Sequence, residues 1–209
     1  ALYIADGHHR AKAASSVAHL RRGNNTSPGS GEYEKVLAVL FPHDQLKVMD
    51  YNRAVKDLNG LTPQEFIGKI SSCFAVSENF AARSPQKFHD FGMYLQGKWY
   101  QLTIKEGIYN DKDPVARLDA AILQEHLLAP VLGIKDPRTD DRIKFIGGIR
   151  GMDELEKLVD KDGFAVAFSL YPTTIEQVMS VADAGAVMPP KSTWFEPKLR
   201  SGMFVHKLS

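Results

Sequence analysis

The chain has 209 residues, 44% of them hydrophobic and 24% charged, which allows a sizeable core and excludes the disordered and fibrous classes. A formal net charge of +1 removes any global attraction to nucleic acid or to an anionic membrane, so a basic site must be local. The single cysteine, Cys73, excludes an internal disulfide and a cysteine-rich metal site. With Ile70 and Phe74 beside it, Cys73 reads as a core thiol in a reducing, cytoplasmic setting. No apolar run approaches the ~20 residues of a membrane helix, and no signal peptide opens the sequence.

In chain order, residues 2–5 read as a short buried strand. A motif follows at once and no Met opens the chain, which is the expected look of a piece whose N-terminal part lies elsewhere. Residues 9–22 predict a helix with Ala14, Val17 and Ala18 toward the core, stopped by Gly23. Residues 23–31 have the Gly, Ser and Asn content of a mobile loop. Residues 36–41 predict a fully buried strand, and 46–55 another that pairs with the first.

Thr62, Ser84 and Asp113 each place a capping oxygen before a proline, predicting three helix starts. The first, with Glu65 completing a capping box, would bury Phe66, Ile67, Ile70 and Phe74. The second would bury Phe88, Phe91 and Leu95, and the third would run to Ala129, before Pro130. Strands are predicted over 99–104, 142–146, 164–170 and 203–208, with helices over 153–159 and after a capping box at Thr173 and Glu176. Strands and helices mix without strict alternation. The expected class is therefore α+β, a mixed sheet with several packed helices, divided at about residue 58 into 1–58 and 59–209.

The turn from Asp6 through Gly7, His8 and His9 to Arg10 is the leading site. Gly7 lets the backbone turn left-handed and approach a ligand closely. The helix that follows opens with unpaired N–H groups and a partial positive charge, where an anion binds. His8, His9 and Arg10 add donors, and a guanidinium grips phosphate with two parallel bonds. Cations there oppose the helix dipole, so they are poor choices for stability alone. Asp6 has the wrong sign for phosphate. It can orient an imidazole, accept a hydroxyl proton or help to place Mg²⁺, which makes Asp6 and His8 the candidate catalytic pair. Neighbouring histidines diverge by about 100° on a helix, which disfavours a shared zinc ion.

At these residues the chain resembles the domain of unknown function 1015 family. The likeness extends through residues 2–10, Asn52 to Val55, Leu118, Asp119, Leu123 and the run from Met188 to Gly202. It corresponds to the C-terminal half of such proteins. That family is similar to the ParB/sulfiredoxin superfamily, which implies a ParB/sulfiredoxin-like region incomplete at its N-terminus. Its characterised relatives are free L-serine kinases. The resemblance implies that Gly7, His8, His9 and Arg10 hold the phosphates of ATP or ADP, with Asp6 near the transferred group. In those kinases a catalytic carboxylate lies on a segment before the motif, and no residue here takes that role.

Pro189 and Pro190 open an extended segment in which Lys191, Ser192, Thr193, Lys198 and Arg200 surround Trp194 and Phe195. Arg53, Lys191, Ser192, Thr193 and Lys198 are the candidate substrate contacts. Asp119 and His126 share a helix face about 10.5 Å apart along the axis, too far to bond to each other. The expected function is nucleotide-dependent phosphoryl transfer to a small hydroxyl metabolite, L-serine being favoured, with Mg²⁺ assisting. The alternatives are a nucleotide-binding module or switch without turnover, or a ParB-like DNA-binding protein, which the charge disfavours. No membrane partner is expected. Association through apolar surface near residues 1–20, as a homodimer, is.

Overall fold

A computed structural model describes residues 1–23, 31–198, 200 and 202–207. The expected loop falls mostly outside the described residues. The chain forms two compact units, residues 48–194 and residues 1–47 with 195–209.

The larger unit is built on a six-stranded sheet. Its strands are β2 (Tyr51–Val55), β3 (Phe74–Glu78), β4 (Asp90–Leu95), β5 (Lys98–Ile104), β6 (Ile143–Gly147) and β7 (Val166–Leu170), in the order β3-β5-β4-β7-β2-β6. The class is α+β, as expected, and every pairing in this sheet is antiparallel. Two shorter strands, β1 (Lys47–Met49) and β8 (Trp194–Glu196), form a separate sheet. The expected strand over 46–55 is thus split at Asp50, and its second half pairs with β6 and β7 rather than with residues 2–5.

Alternation divides the side chains between the two faces. Phe91, Met93, Leu95, Val166, Phe168 and Leu170 join the main core, together with Phe66 and Ile70 of α2 (Pro63–Ile70) and Ile122 and Leu123 of α3 (Asp119–Leu123). Ala54, Tyr94 and Ala167 face the other way, against Leu155 and Leu158 of α4 (Met152–Asp160). Here Gly92 is required: a Cβ would come within 2.2 Å of Ser169 Oγ and 2.4 Å of the Arg83 carbonyl oxygen.

Helix α2 starts where expected, with both capping-box bonds present. Phe74 does not continue it but opens β3. The helix expected after Ser84 is absent. Phe91 and Leu95 share one face at strand spacing, and β4 turns into β5 through Gln96 and Gly97, both at positive φ. Such a two-residue turn matches the twist of a hairpin. Asp113 does cap the next turn, accepting from the amides of Val115 and Ala116, but α3 begins only at Asp119. It continues as a π-helix through Leu128, with Ala129 N–H donating to the Gln124 carbonyl. Helix α5 (Ile175–Asp183) has its capping box at Thr174 and Gln177, one residue beyond the expected pair. Cys73 is half-buried against the main core.

The smaller unit is differently made. Helix α1 (His8–Arg22) has no buried residue; Ala14, Val17 and Ala18 are the half-covered side. A 3-10 turn at Glu32–Glu34 joins it through an Arg22–Glu34 ion pair at 2.9 Å. Residues 2–5 and 36–41 are not strands, nor are the described residues of 203–208. Leu2 is 82% exposed and Leu40 69%. Strand patterning predicted burial, but a strand forms only against a partner's N–H and C=O groups. Among the described residues of this unit only Phe195 is buried. Among the described residues, every large exposed apolar side chain other than Ile149 and Val187 lies here.

Candidate functional site

The first site lies in the smaller unit. Gly7 precedes α1 at φ 80° and ψ 27°, the left-handed region in which glycine is unstrained. The first bond of the helix runs from Ala11 N–H to the Gly7 carbonyl, so the amides of His8, His9 and Arg10 precede it, and no side chain caps them. No acidic residue occupies the first turn. The Arg10 guanidinium folds back over Gly7, its Nη2 lying 3.0 Å from where a Cβ would stand. The exposed side chains of His8, His9 and Arg10 make no hydrogen bond to another described residue, leaving imidazole and guanidinium donors at one helix start.

Asp6 closes the turn. Its Oδ1 accepts from Gly7 N–H at 2.7 Å, and its Oδ2 accepts from Lys198 Nζ at 3.0 Å. Lys198 above all holds the Asp6 carboxyl below the ordinary aspartate value, opposed by burial and helped by the Gly7 amide and the nearby Arg10 charge. Asp6 is therefore an ionised acceptor, better suited to orienting a hydroxyl than to removing its proton.

A Mg²⁺ ion needs oxygen ligands. Among the described residues no three His, Cys, Asp or Glu side chains converge on a point. Both Asp6 oxygens are engaged, Oδ1 by the Gly7 amide and Oδ2 by the Lys198 ammonium. Among the described residues the turn holds no preformed cluster of ligands for Mg²⁺.

The expected substrate residues fall into two groups. Lys198 joins Asp6. Arg53, Lys191, Ser192 and Thr193 belong to the larger unit. Arg53 is only 3% exposed and points to the main-core side of β2, opposite Phe145 of β6, whose ring centre lies 5.5 Å from the guanidinium carbon. Its Nη1 donates to the Tyr51 carbonyl and its Nη2 to the Lys191 carbonyl at 3.2 Å. Burial lowers its pKa to about 10, so it remains a cation. The Ser192 hydroxyl donates to the Pro189 carbonyl at 2.7 Å, and the Ser192 carbonyl accepts from Thr173 Oγ1 at 3.0 Å. The Lys191 ammonium lies 5.7 Å from the Tyr51 ring centre.

The surroundings of Asp119 are set by segments distant in the chain. Its Oδ1 accepts from His89 N–H at 3.0 Å, while Oδ2 is buried without a hydrogen-bond partner among the described residues. The His89 ring bonds Tyr109 Oη at 2.8 Å and the Arg117 carbonyl at 3.2 Å. The only hint in the sequence was Asp119 among apolar neighbours.

The protein is thus an α+β molecule with an antiparallel sheet and a glycine-led, histidine- and arginine-bearing helix start. A family model described as protein of unknown function, DUF1015, matches residues 1–121, and the chain belongs to that family. No curated protein matches it. Among solved structures it is similar to a conserved hypothetical protein from Pyrococcus furiosus, at 17% identity and a TM-score of 0.48, covering 92% of this chain and 68% of that one. It is also similar to a free serine kinase in complex with AMP, at 17% identity, a TM-score of 0.46 and coverage of 92% and 66%. A free serine kinase variant in complex with ADP gives 18%, 0.45, and 88% and 80%. These are distant likenesses, and the functional reading rests on the chain's own residues. Among the described residues no helix is long and apolar enough to cross a membrane.

Proposed function

We propose that the turn from Asp6 to Arg10 binds the phosphates of ATP or ADP for phosphoryl transfer to a small hydroxyl metabolite in the cytoplasm. The observation that carries this reading is the helix start at Gly7: uncapped amides, no acidic side chain in the first turn, and the Arg10 guanidinium folded over the glycine. Such transfer depends on positioning and charge neutralisation, which His8, His9, Arg10 and Lys198 can supply. Asp6 orients the acceptor hydroxyl, and His8 is the neighbouring group able to take its proton. L-serine is the acceptor that the sequence resemblance implies. No step is assigned to Mg²⁺.

The test is incubation of the protein with ATP or ADP and L-serine, followed by detection of O-phosphoserine. Formation that is lost in Arg10→Ala supports the reading. Nucleotide binding without product under all conditions removes the transferase reading. It favours the second reading, a nucleotide-binding module, to which the engagement of both Asp6 oxygens lends weight. Retention on DNA at moderate salt without nucleotide affinity would overturn both.

We also propose that the chain self-associates through the apolar side chains of the smaller unit, Leu2, Ile4, Leu37 and Leu40 among them. Sedimentation velocity is expected to show mass rising with concentration, and Leu37→Lys with Leu40→Lys to shift the protein toward monomer. A wild-type chain that is monomeric throughout the micromolar range contradicts this.

A further inference from the structure

Beside Arg53 the larger unit holds a cavity of about 390 Å³. Ala120, Gln124 and Leu128 form one wall, spaced four apart along the α3 and π-helical run. Phe145 and the prolines at 137, 189 and 190 supply apolar surface, and Lys135, Asp136 and Arg138 complete the lining. The volume is that of a small-metabolite pocket.

The charges on this wall do not balance. Arg53 is a buried cation without a carboxylate within ion-pair distance among the described residues; two backbone carbonyls take two of its five N–H groups. A buried charge without a counter-charge is costly. Lys135 has no ion-pair partner among the described residues, and only Arg138 is matched, by Asp136 at 3.0 Å. Three cations and one carboxylate therefore line a cavity whose other walls are mostly apolar. The carboxylate whose charge Arg53 feels is Asp119, which does not come within ion-pair distance of it.

We infer that this cavity binds a small metabolite through one oxyanion group, held by Arg53 at the cavity wall and by Lys135 and Arg138, with its apolar body against Phe145 and the prolines. The oxyanion is a carboxylate or a phosphate; both suit a guanidinium. This proposal does not rest on phosphoryl transfer at the Gly7 turn, which belongs to the other unit.

The test is titration of the full chain with inorganic phosphate and, separately, with propionate, followed by amide NMR shifts. Saturable shifts at Ala120, Gln124 and Phe145 are expected with at least one probe. Response to propionate alone identifies a carboxylate metabolite, to phosphate alone a phosphorylated one, and to both an oxyanion site of either kind. Arg53→Met should abolish the response, and because Arg53 is buried a second variant at the surface is paired with it. The exposed pair Lys135→Ala and Arg138→Ala keeps the test open, and is expected to weaken binding about tenfold, equivalent to roughly 1.4 kcal/mol. Asp136→Asn, which releases Arg138 and removes the one lining carboxylate, should tighten it. Absence of saturable shifts with either probe, or binding indifferent to both the double variant and Asp136→Asn, overturns the proposal.

Discussion

Arg10→Ala is expected to weaken ATP or ADP binding by about 10- to 150-fold, the equivalent of the ~1.5–3 kcal/mol that a hydrogen bond to a charged group contributes. Lys12→Ala is expected to change it little. Both substitutions remove one positive charge from the same helix, so long-range attraction falls equally. They differ in place. The Arg10 guanidinium lies against Gly7, at the uncapped amides, whereas Lys12 follows the first intrahelical bond and is exposed. Isothermal titration of the two variants at fixed ionic strength separates contact from general electrostatics. Equal losses would show that the turn attracts nucleotide by charge alone and would sink the phosphate-turn reading. Surface exposure of Arg10 keeps this variant folded, so the result is readable.

The second large effect is on stability. Asp119→Asn is expected to stabilise the protein relative to wild type above pH 7, with the advantage shrinking as pH falls toward 4. Burial, aided by the Asp90 carboxylate, raises the Asp119 carboxyl from 3.8 to about 7, against the opposing effects of the His89 amide and the Arg53 charge. In the unfolded chain the carboxyl releases its proton near 3.8, and in the folded chain only near 7. Between these values the native state binds more protons, so this group's contribution to stability falls as pH rises through the window and is flat above it. At about 1.4 kcal/mol for each unit the total is on the order of 4 kcal/mol. Asparagine cannot ionise, and its amide oxygen can still accept from His89. Carboxylates whose pKa is lowered, such as Asp6 and Asp113, act in the opposite direction, so the wild-type curve mixes signs. The difference between variant and wild type isolates Asp119. Urea midpoints at pH 4.5, 6 and 7.5 measure it, and a difference that does not vary with pH would contradict the argument.

The elements that sequence reading recovered are those settled within a few residues. Thr62 and Glu65 bond each other's backbone across a single turn, so the start of α2 was legible. The later box was displaced by one residue because Thr173 and Thr174 both carry a capping hydroxyl. Tertiary structure spends the first on the Ser192 carbonyl and leaves the second for the cap. Phe88, Phe91 and Leu95 satisfied helical spacing, while Phe91, Met93 and Leu95 satisfied strand spacing. Pairing with β5 and β7 decided for the strand. The Gln96–Gly97 turn lacks the Asn or Asp that signals such a hairpin most strongly.

The same distinction separates the two sites. The sequence by itself determined the turn proposed to bind phosphate: a glycine and the side chains of residues 6–10 lie within one helical turn, and their order in the chain is their order in space. It also determined the α+β class. Only the tertiary structure decided that Lys198 meets Asp6, that Arg53 is buried on a cavity wall, that Asp119 keeps an unpartnered oxygen, and that residues 36–41 have no strand to join. Each of these depends on desolvation or on hydrogen bonds to distant segments, and apolar patterning records the preference for burial without recording what is available to bury against.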